Sequence, residues 1–385
     1  MAKLKVGIIG TGYRAVKAFG PLLIAEPGVE ITALCDINPV RMRRAADYLN
    51  LQVGLYGDFE EFIAKADCSA VIISSPDRFH GQQTMGCLQS DRHVLCEKPL
   101  ALSVLDATRC MELAQERSLV YLPGHVLRYT ALYQQVRNII DNGDIGRPVM
   151  VYAQDLYGKG KSYFRRWNRY TAQSGGLLLH KGCHTFDLVP WWTGARPERA
   201  IISGGLAVFN SNDHQRQLCR DCLINCPDYY DIGESEIDRA IFGPETEQPD
   251  SEWPKDICIF GSPKDTFDHA GLLCEYNTGL RLIYAQCFFS PENNRLIRIS
   301  GDEGELNTSQ EFGGHISVTD RHNQNRYEAA LNMAEEGHWG GDRLMVQDFI
   351  RRATEGRPMA EQEILPAIYA IATALGVEPL CARGA

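Results

Sequence analysis

The sequence predicts an α/β chain with two sheets: an N-terminal parallel sheet covered by helices on both faces, then an α/β domain on a large, mostly antiparallel sheet. Three observations carry this. Over roughly the first 120 residues, short and continuously apolar runs alternate with helical patterns, as buried parallel strands and their crossover helices do. Beyond about residue 125 the apolar runs lengthen, and Tyr276-Asn277-Thr278-Gly279 reads as a hairpin turn between two of them. A chain of 385 residues suits two domains better than one.

Taken in order, Lys5–Ile9 (KVGII) is a buried strand that runs into a glycine turn and a helix over Arg14–Ala25. Glu30–Cys35 is a second strand, followed by a helix over Pro39–Leu49. Ala70–Ser74 and His93–Cys96 are the third and fourth strands. A helix with a serine cap spans Ser103–Arg117, and Leu119–Leu122 is the fifth strand. Longer strands follow over Pro148–Asp155, Ala200–Val208, Gly271–Tyr276, Arg281–Phe289 and Leu296–Gly301, and the pattern closes on helices over Gly341–Glu355 and Glu361–Gly376. The expected division is therefore 1–124 and 125–385. The stretch Asn210–Lys255, rich in polar residues, Pro and Cys, is read as an insertion over the second domain.

A 44% hydrophobic and 23% charged composition is that of a globular protein with ample core. The net charge of -10 gives no electrostatic case for nucleic acid or anionic membrane. No apolar run approaches the roughly 20 residues of a membrane span. The stretch Met1–Gly10 reads as the first strand and turn of the fold, not as an export leader. The expected setting is the cytoplasm, where thirteen cysteines stay reduced. Cys35, Cys68, Cys96, Cys274 and Cys287 sit inside apolar runs, as small hydrophobes do.

Gly10-Thr11-Gly12-Tyr13-Arg14-Ala15 fits G-x-G-x-x-G/A between a strand and a helix. The first glycine allows the tight turn, the second lets a pyrophosphate approach the backbone, and Ala15 permits close helix packing. Asp36 ends the second strand, where a carboxylate can hold ribose hydroxyls and repel a 2′-phosphate. That favours NAD over NADP, although Arg41, Arg43 and Arg44 follow on the next helix.

With Cys96-Glu97-Lys98-Pro99, the sequence resembles the Gfo/Idh/MocA oxidoreductase family. The resemblance extends over GTGYRA, Ser74-Ser75-Pro76-Asp77 with His80, Gly175-Gly176 leading to His180 and His184, and Ile299–Gly304. It implies that Tyr13, Arg14, Ser75, Pro76, His80, Glu97 and Lys98 line the cofactor. It also implies that Lys98 stands between nicotinamide and substrate, and that His184 is a second acid/base group beside it. His180 stands where many members carry Asp. It joins the pocket here, and its four-residue spacing from His184 also suits a metal pair. Arg128 follows the fifth strand, where the family often places a substrate contact. Tyr157, Lys161, Arg165 and Trp167 form a polar-aromatic stretch suited to a carbohydrate, and equally to an amphipathic loop.

Cys219-x2-Cys222-x3-Cys226 has three thiols at a spacing that can wrap a zinc ion; an oxidised pair and unliganded thiols are the other readings. The function expected from all of this is NAD-dependent oxidation of a secondary hydroxyl of a sugar, glycoside or cyclitol, with Lys98 and His184 moving the proton. The resemblance also implies a homodimer or homotetramer joined through the second sheet. One rival is a lyase, glycosidase or epimerase that oxidises transiently and recycles its NAD. The other is a non-catalytic NAD-sensing protein.

Overall fold

Burial on both faces explains the first sheet. In the computed structural model, which describes residues 3–210, 218–222, 226–231, 236, 239–240, 256–310, 314–331 and 337–376, its strands are β1 (Leu4–Ile9), β2 (Val29–Cys35), β3 (Gly54–Tyr56), β4 (Ala70–Ile73), β5 (His93–Glu97) and β6 (Tyr121–Gly124). They lie in the order β3-β2-β1-β4-β5-β6, and all pairings are parallel. Every residue of β4 is buried, which is why it reads as an unbroken apolar run. The chain changes direction between β3 and β4 in this order, so the crevice at the carboxyl ends of β1 and β4 is the switch point where such sheets bind ligands.

The helices on this sheet are α1 (Gly20–Ala25), α2 (Pro39–Tyr48), α3 (Phe59–Lys65), α4 (His80–Gln89) and α5 (Val104–Glu116). Asn38 and Ser103 cap α2 and α5 by accepting from the backbone N–H of Arg41 and Asp106. The single helix expected over Arg14–Ala25 is instead a π-helical turn, Ala15–Phe19, followed by α1. Pro21 has no N–H with which to continue a regular ladder across the junction. The sequence reading also passed over β3, α3 and α4. β3 has only three residues and lies on an edge.

The second sheet contains β7 (Pro148–Leu156), β8 (Pro197–Gly205), β9 (His269–Tyr276), β10 (Arg281–Cys287), β11 (Asn294–Gly301), β12 (Gly304–Ser309), β13 (His315–Asp320) and β14 (Arg326–Ala330). Their order is β14-β13-β12-β11-β7-β10-β9-β8; β7 and β10 are parallel and the other pairs antiparallel. The expected hairpin joins β9 to β10, with Gly279 at φ +84 and its N–H donating to the Tyr276 carbonyl at 2.9 Å. Burial alternates along β9 and β10, the signature of a sheet packed on one face.

The remaining helices are α6 (Ala131–Asp141), α7 (Thr171–Ser174), α8 (Leu177–Thr193), α9 (Gly341–Glu355) and α10 (Glu361–Leu375). Helix α8 is buried almost all round; α10 packs along it and also returns to α5 on the first sheet. The opposite face of the second sheet carries a line of exposed apolar side chains. Tyr152, Ile283, Leu273 and Ile201 are directly cross-registered on β7, β10, β9 and β8. Among the described residues, no helix is long and apolar enough to cross a membrane. Most of the expected insertion lies outside the described residues.

Candidate active site

The glycine turn ends β1 at Gly10, whose φ is +86. A Cβ there would stand 2.5 Å from the Ser75 backbone nitrogen, so only glycine lets the β1 and β4 ends come this close. At Gly12 a Cβ would meet nothing within 4 Å, which leaves the open space a pyrophosphate needs over the turn. The residues present therefore fit a dinucleotide. Asp36 is buried at the end of β2 and braces the same turn. Its carboxylate accepts from Thr11 N at 2.8 Å, Thr11 Oγ1 at 2.9 Å and Asn38 N at 2.9 Å. Arg41 pairs with it at 2.5 Å, which occupies the nearest of the three following arginines. Tyr13 is exposed beside the turn.

Arg14 leaves the turn and bridges two carboxylates. It donates to Glu97 at 2.6 Å and to Asp342, on α9, at 2.7 and 3.0 Å. His338 reaches Asp342 at 2.9 Å. Burial pushes Glu97 upward, but Arg14 and Lys98 overcome it and hold the carboxyl below its ordinary range. The next peptide, Lys98–Pro99, is cis. His80 clasps this turn, with Nδ1 2.7 Å from the Pro99 carbonyl and Nε2 2.9 Å from that of Ser75. Ser75 Oγ lies 2.6 Å from Gln83, and Pro76 precedes the turn that carries Asp77. Lys98 Nζ crosses to the second domain and donates to the His180 carbonyl at 2.8 Å.

His180 and His184 lie one turn apart on α8, both buried, and differ in their partners. His180 Nδ1 meets Asp77 at 2.5 Å, and its Nε2 takes the Asn168 amide at 3.0 Å. On this hydrogen-bond pattern the ring proton sits on Nδ1, facing Asp77. Burial pushes the Asp77 carboxyl upward and the His180 ring downward from their ordinary ranges. His184 Nδ1, by contrast, is buried with no hydrogen-bond partner. Burial, then Lys98 and Lys181, push its pKa well below the usual value, so the ring is a neutral acceptor. His125 stands edge-on to it, 6.3 Å between centroids.

An aromatic wall borders His180. Trp167 and Tyr163 meet its ring edge-on at 5.4 and 5.8 Å, and Tyr157 stacks on Phe288 at 4.8 Å. Lys181 Nζ lies over the Tyr157 and Tyr163 rings at 4.9 and 5.1 Å. The other three cations expected in the pocket are engaged elsewhere. Arg128 is buried in a two-pronged pair with Asp187 and also donates to the Glu363 carbonyl at 2.6 Å. Lys161 pairs with Asp228 at 2.8 Å. Arg165 is buried against Cys219 Sγ at 3.2 Å, the carbonyls of Ile257 and Asp228, and the Tyr230 ring. The structure thus brings Lys98, His180, His184, Tyr157 and Trp167 together, and uses Arg128, Lys161 and Arg165 as ties.

Residues 4–125 match the NAD-binding Rossmann fold of the Gfo/Idh/MocA oxidoreductase family, and residues 137–374 match its C-terminal alpha/beta domain. The chain belongs to this family. It is an NAD(P)-dependent oxidoreductase. It is 27% identical to the putative oxidoreductase YteT of Bacillus subtilis over 350 residues, covering 83% of this chain and 81% of the relative. It is 35% identical to the inositol 2-dehydrogenase of Salmonella typhimurium over 153 residues, 39% of this chain and 45% of that one. The fold matches the crystal structure of myo-inositol 2-dehydrogenase from Lactobacillus plantarum with a TM-score of 0.68 at 19% identity, covering 97% of this chain and 95% of that one.

Against the family pattern, this chain's departure at His180 has a structural counterpart. Where position 180 carries an imidazole, a carboxylate reaches it from the first domain, that of Asp77. Sequence reasoning quoted Asp77 within its motif without giving it a role, and missed Asn168, Tyr163 and Lys181. Lys181 adjoins His180 and was the most accessible of these signals. Among the described residues, no group of three His, Cys, Asp or Glu side chains is gathered closely enough to hold a metal. This applies to Cys219, Cys222 and Cys226, which are free thiols, and to His180 with His184. Of the three readings of this cluster, the described residues show unliganded thiols, and Arg165 donates to Cys219 Sγ at 3.2 Å.

Proposed function

We propose that this oxidoreductase oxidises a secondary hydroxyl of a sugar, glycoside or cyclitol, with NAD as the hydride acceptor and Lys98 and His184 as the proton-handling pair. The observation that carries the reading is that Lys98 Nζ reaches α8 from the first sheet, at the His180 carbonyl one turn from His184. Bound NAD would supply the hydride acceptor. The chain's own residues do the rest. Lys98 spends one N–H on the His180 carbonyl and has others with which to hold the hydroxyl oxygen. Neutral His184 accepts the hydroxyl proton in a hydrogen bond and passes it on without staying charged, since burial and the two lysines disfavour the imidazolium.

On this geometry His180 positions and does not react, because both its nitrogens are occupied. Tyr157 and Trp167 offer the flat apolar surface a sugar ring requires. Gly10, Gly12, Tyr13, Arg14, Asp36, Ser75, Pro76, His80 and Glu97 frame the cofactor. NAD is favoured over NADP because Asp36 would stand against a 2′-phosphate while Arg41 is already paired with it. Residues 1–124 are read as the cofactor domain and 125–385 as the substrate domain. The line Tyr152–Ile283–Leu273–Ile201 is the surface through which a homodimer or homotetramer would form. Twelve unpaired cysteines among the described residues suit the reducing cytoplasm.

The test is to mix the protein with NAD and a panel of sugars, glycosides and inositols and follow NADH absorbance. A substrate-dependent rise is expected. No rise across the panel, with NAD(H) released when the protein is denatured, would replace net oxidation with internal recycling.

A further inference from the structure

Of the cations beside the aromatic wall, Lys98 has Glu97 and Asp77 near it, whereas Lys181 and Arg166 have no carboxylate partner among the described residues. Lys98, Lys181 and Arg166 surround Tyr163 and His180, and all three are partly exposed. The nearby acids are already matched. Glu97 has Arg14, Asp77 has His180, and Asp228 has Lys161. Among the described residues neither Lys181 nor Arg166 forms an ion pair with a carboxylate, and Lys181 rests on two tyrosine rings. A cation over half-buried rings gains about 0.5–2 kcal/mol, at or below the roughly 1.5–3 kcal/mol of a hydrogen bond between charged groups. The arrangement therefore stabilises a cation modestly and leaves its charge available.

Tyr163 reports the resulting field. Burial by itself raises a phenol's pKa, as it does at Tyr157 and Tyr284 in the same domain. At Tyr163 burial is outweighed by Lys181, with Lys98 and Arg166 acting in the same sense, and the pKa is lowered. His180 and His184 feel the same cations: after burial, Lys98 and Lys181 are the largest influences lowering each. A chain with a net charge of -10 thus sets two cations without carboxylate partners beside the groups proposed to meet the substrate.

We propose that the substrate is an anionic sugar, one bearing a carboxylate or a phosphoester, and that Lys181 and Arg166 receive the anion while the reacting hydroxyl faces Lys98 and His184. This rests on the sugar-oxidising reading above and adds a charge to its substrate. Tyr157 and Tyr163 would lie under the ring and fix the Lys181 stem in place.

The test is calorimetric titration of the NADH-loaded protein with matched pairs: D-glucuronate and D-galacturonate against D-glucose and D-galactose, and glucose 6-phosphate against glucose. The charged member should bind about tenfold to a hundredfold more tightly than its neutral parent. That preference should vanish in Lys181→Met and Arg166→Met, which keep much of the apolar stem. Preference for the uronates identifies a carboxylate, and preference for the phosphate a phosphoester. Equal binding of charged and neutral members, no binding of any, or an undiminished preference in both variants overturns the proposal. NADH formation, measured separately, tells the two readings apart. Anion binding through Lys181 and Arg166 without NADH formation keeps this inference and removes net oxidation. Turnover of neutral sugars with an unchanged KM in both variants does the reverse.

Discussion

The two sheets solve opposite problems. The first is buried on both faces, and its candidate site residues follow strand ends: Gly10 after β1, Asp36 after β2, the Ser75–Asp77 turn after β4 and Lys98 after β5. The second is packed on one face by α8 and presents a line of apolar residues on the other. Its faces are used for packing, while its candidate site residues lie beyond strand ends or on α8. Phe186 on α8 meets Tyr284 on β10 at 4.7 Å, and Tyr157, just beyond β7, stacks on Phe288. The candidate site and the exposed apolar line lie on different parts of the fold, so substitutions can address one without the other.

The largest separation should come from Lys98→Ala. Turnover is expected to fall by about 10²–10⁴-fold, while NAD affinity, measured by fluorescence titration, and oligomeric state stay as in the parent. Loss of NAD binding would show that Lys98 serves the cradle and not the reaction. The converse is Ile283→Arg, in the middle of the exposed apolar line. Sedimentation should show smaller species with NAD affinity unchanged; an unaltered sedimentation profile would remove this face from assembly. A smaller effect is expected for Asp36→Ala, which takes away the group opposing a 2′-phosphate. The preference for NAD over NADP should drop by about tenfold, and a constant ratio would reject the contact.

The smallest effect concerns the tie between the two regions. Burial pushes Asp342 upward, but His338 and Arg14 overcome it and hold the carboxyl below its ordinary range. A depressed folded pKa contributes stability that is present above the unfolded value of about 3.9 and is lost as pH falls through the folded one. Asp342→Asn should therefore cost about 1–3 kcal/mol at neutral pH and flatten the acid limb of stability in chemical denaturation. An acid limb identical to the parent's would deny Asp342 this part.

What could be read in advance follows the same division. The first sheet's strands are continuously apolar, and the glycine turn, Asp36 and Lys98 lie within local motifs, so one-dimensional inspection reaches them. In the second sheet β12, β13 and β14 carry many polar residues and show no run to catch the eye; Arg326–Ala330 is almost wholly exposed. The candidate site was legible where residues act in short segments and opaque where they meet across the chain. Asp77 and His180 are 103 positions apart, so no spacing rule joins them. Arg128, Lys161 and Arg165 have the chemistry of substrate contacts, but carboxylates or carbonyls distant in sequence take their charge.

Arg14, in the turn that follows the first strand, is fastened to Asp342 on α9, and α10 then packs against α5 and α8. A ribosome makes the glycine turn more than three hundred residues before its brace. The first sheet can form early, as N-terminal units do during synthesis. Its cofactor turn, with Glu97 beside Lys98, is held in final form only once α9 has emerged. Translation thus completes the cradle late, and a nascent chain halted before residue 342 has the turn without its fastening.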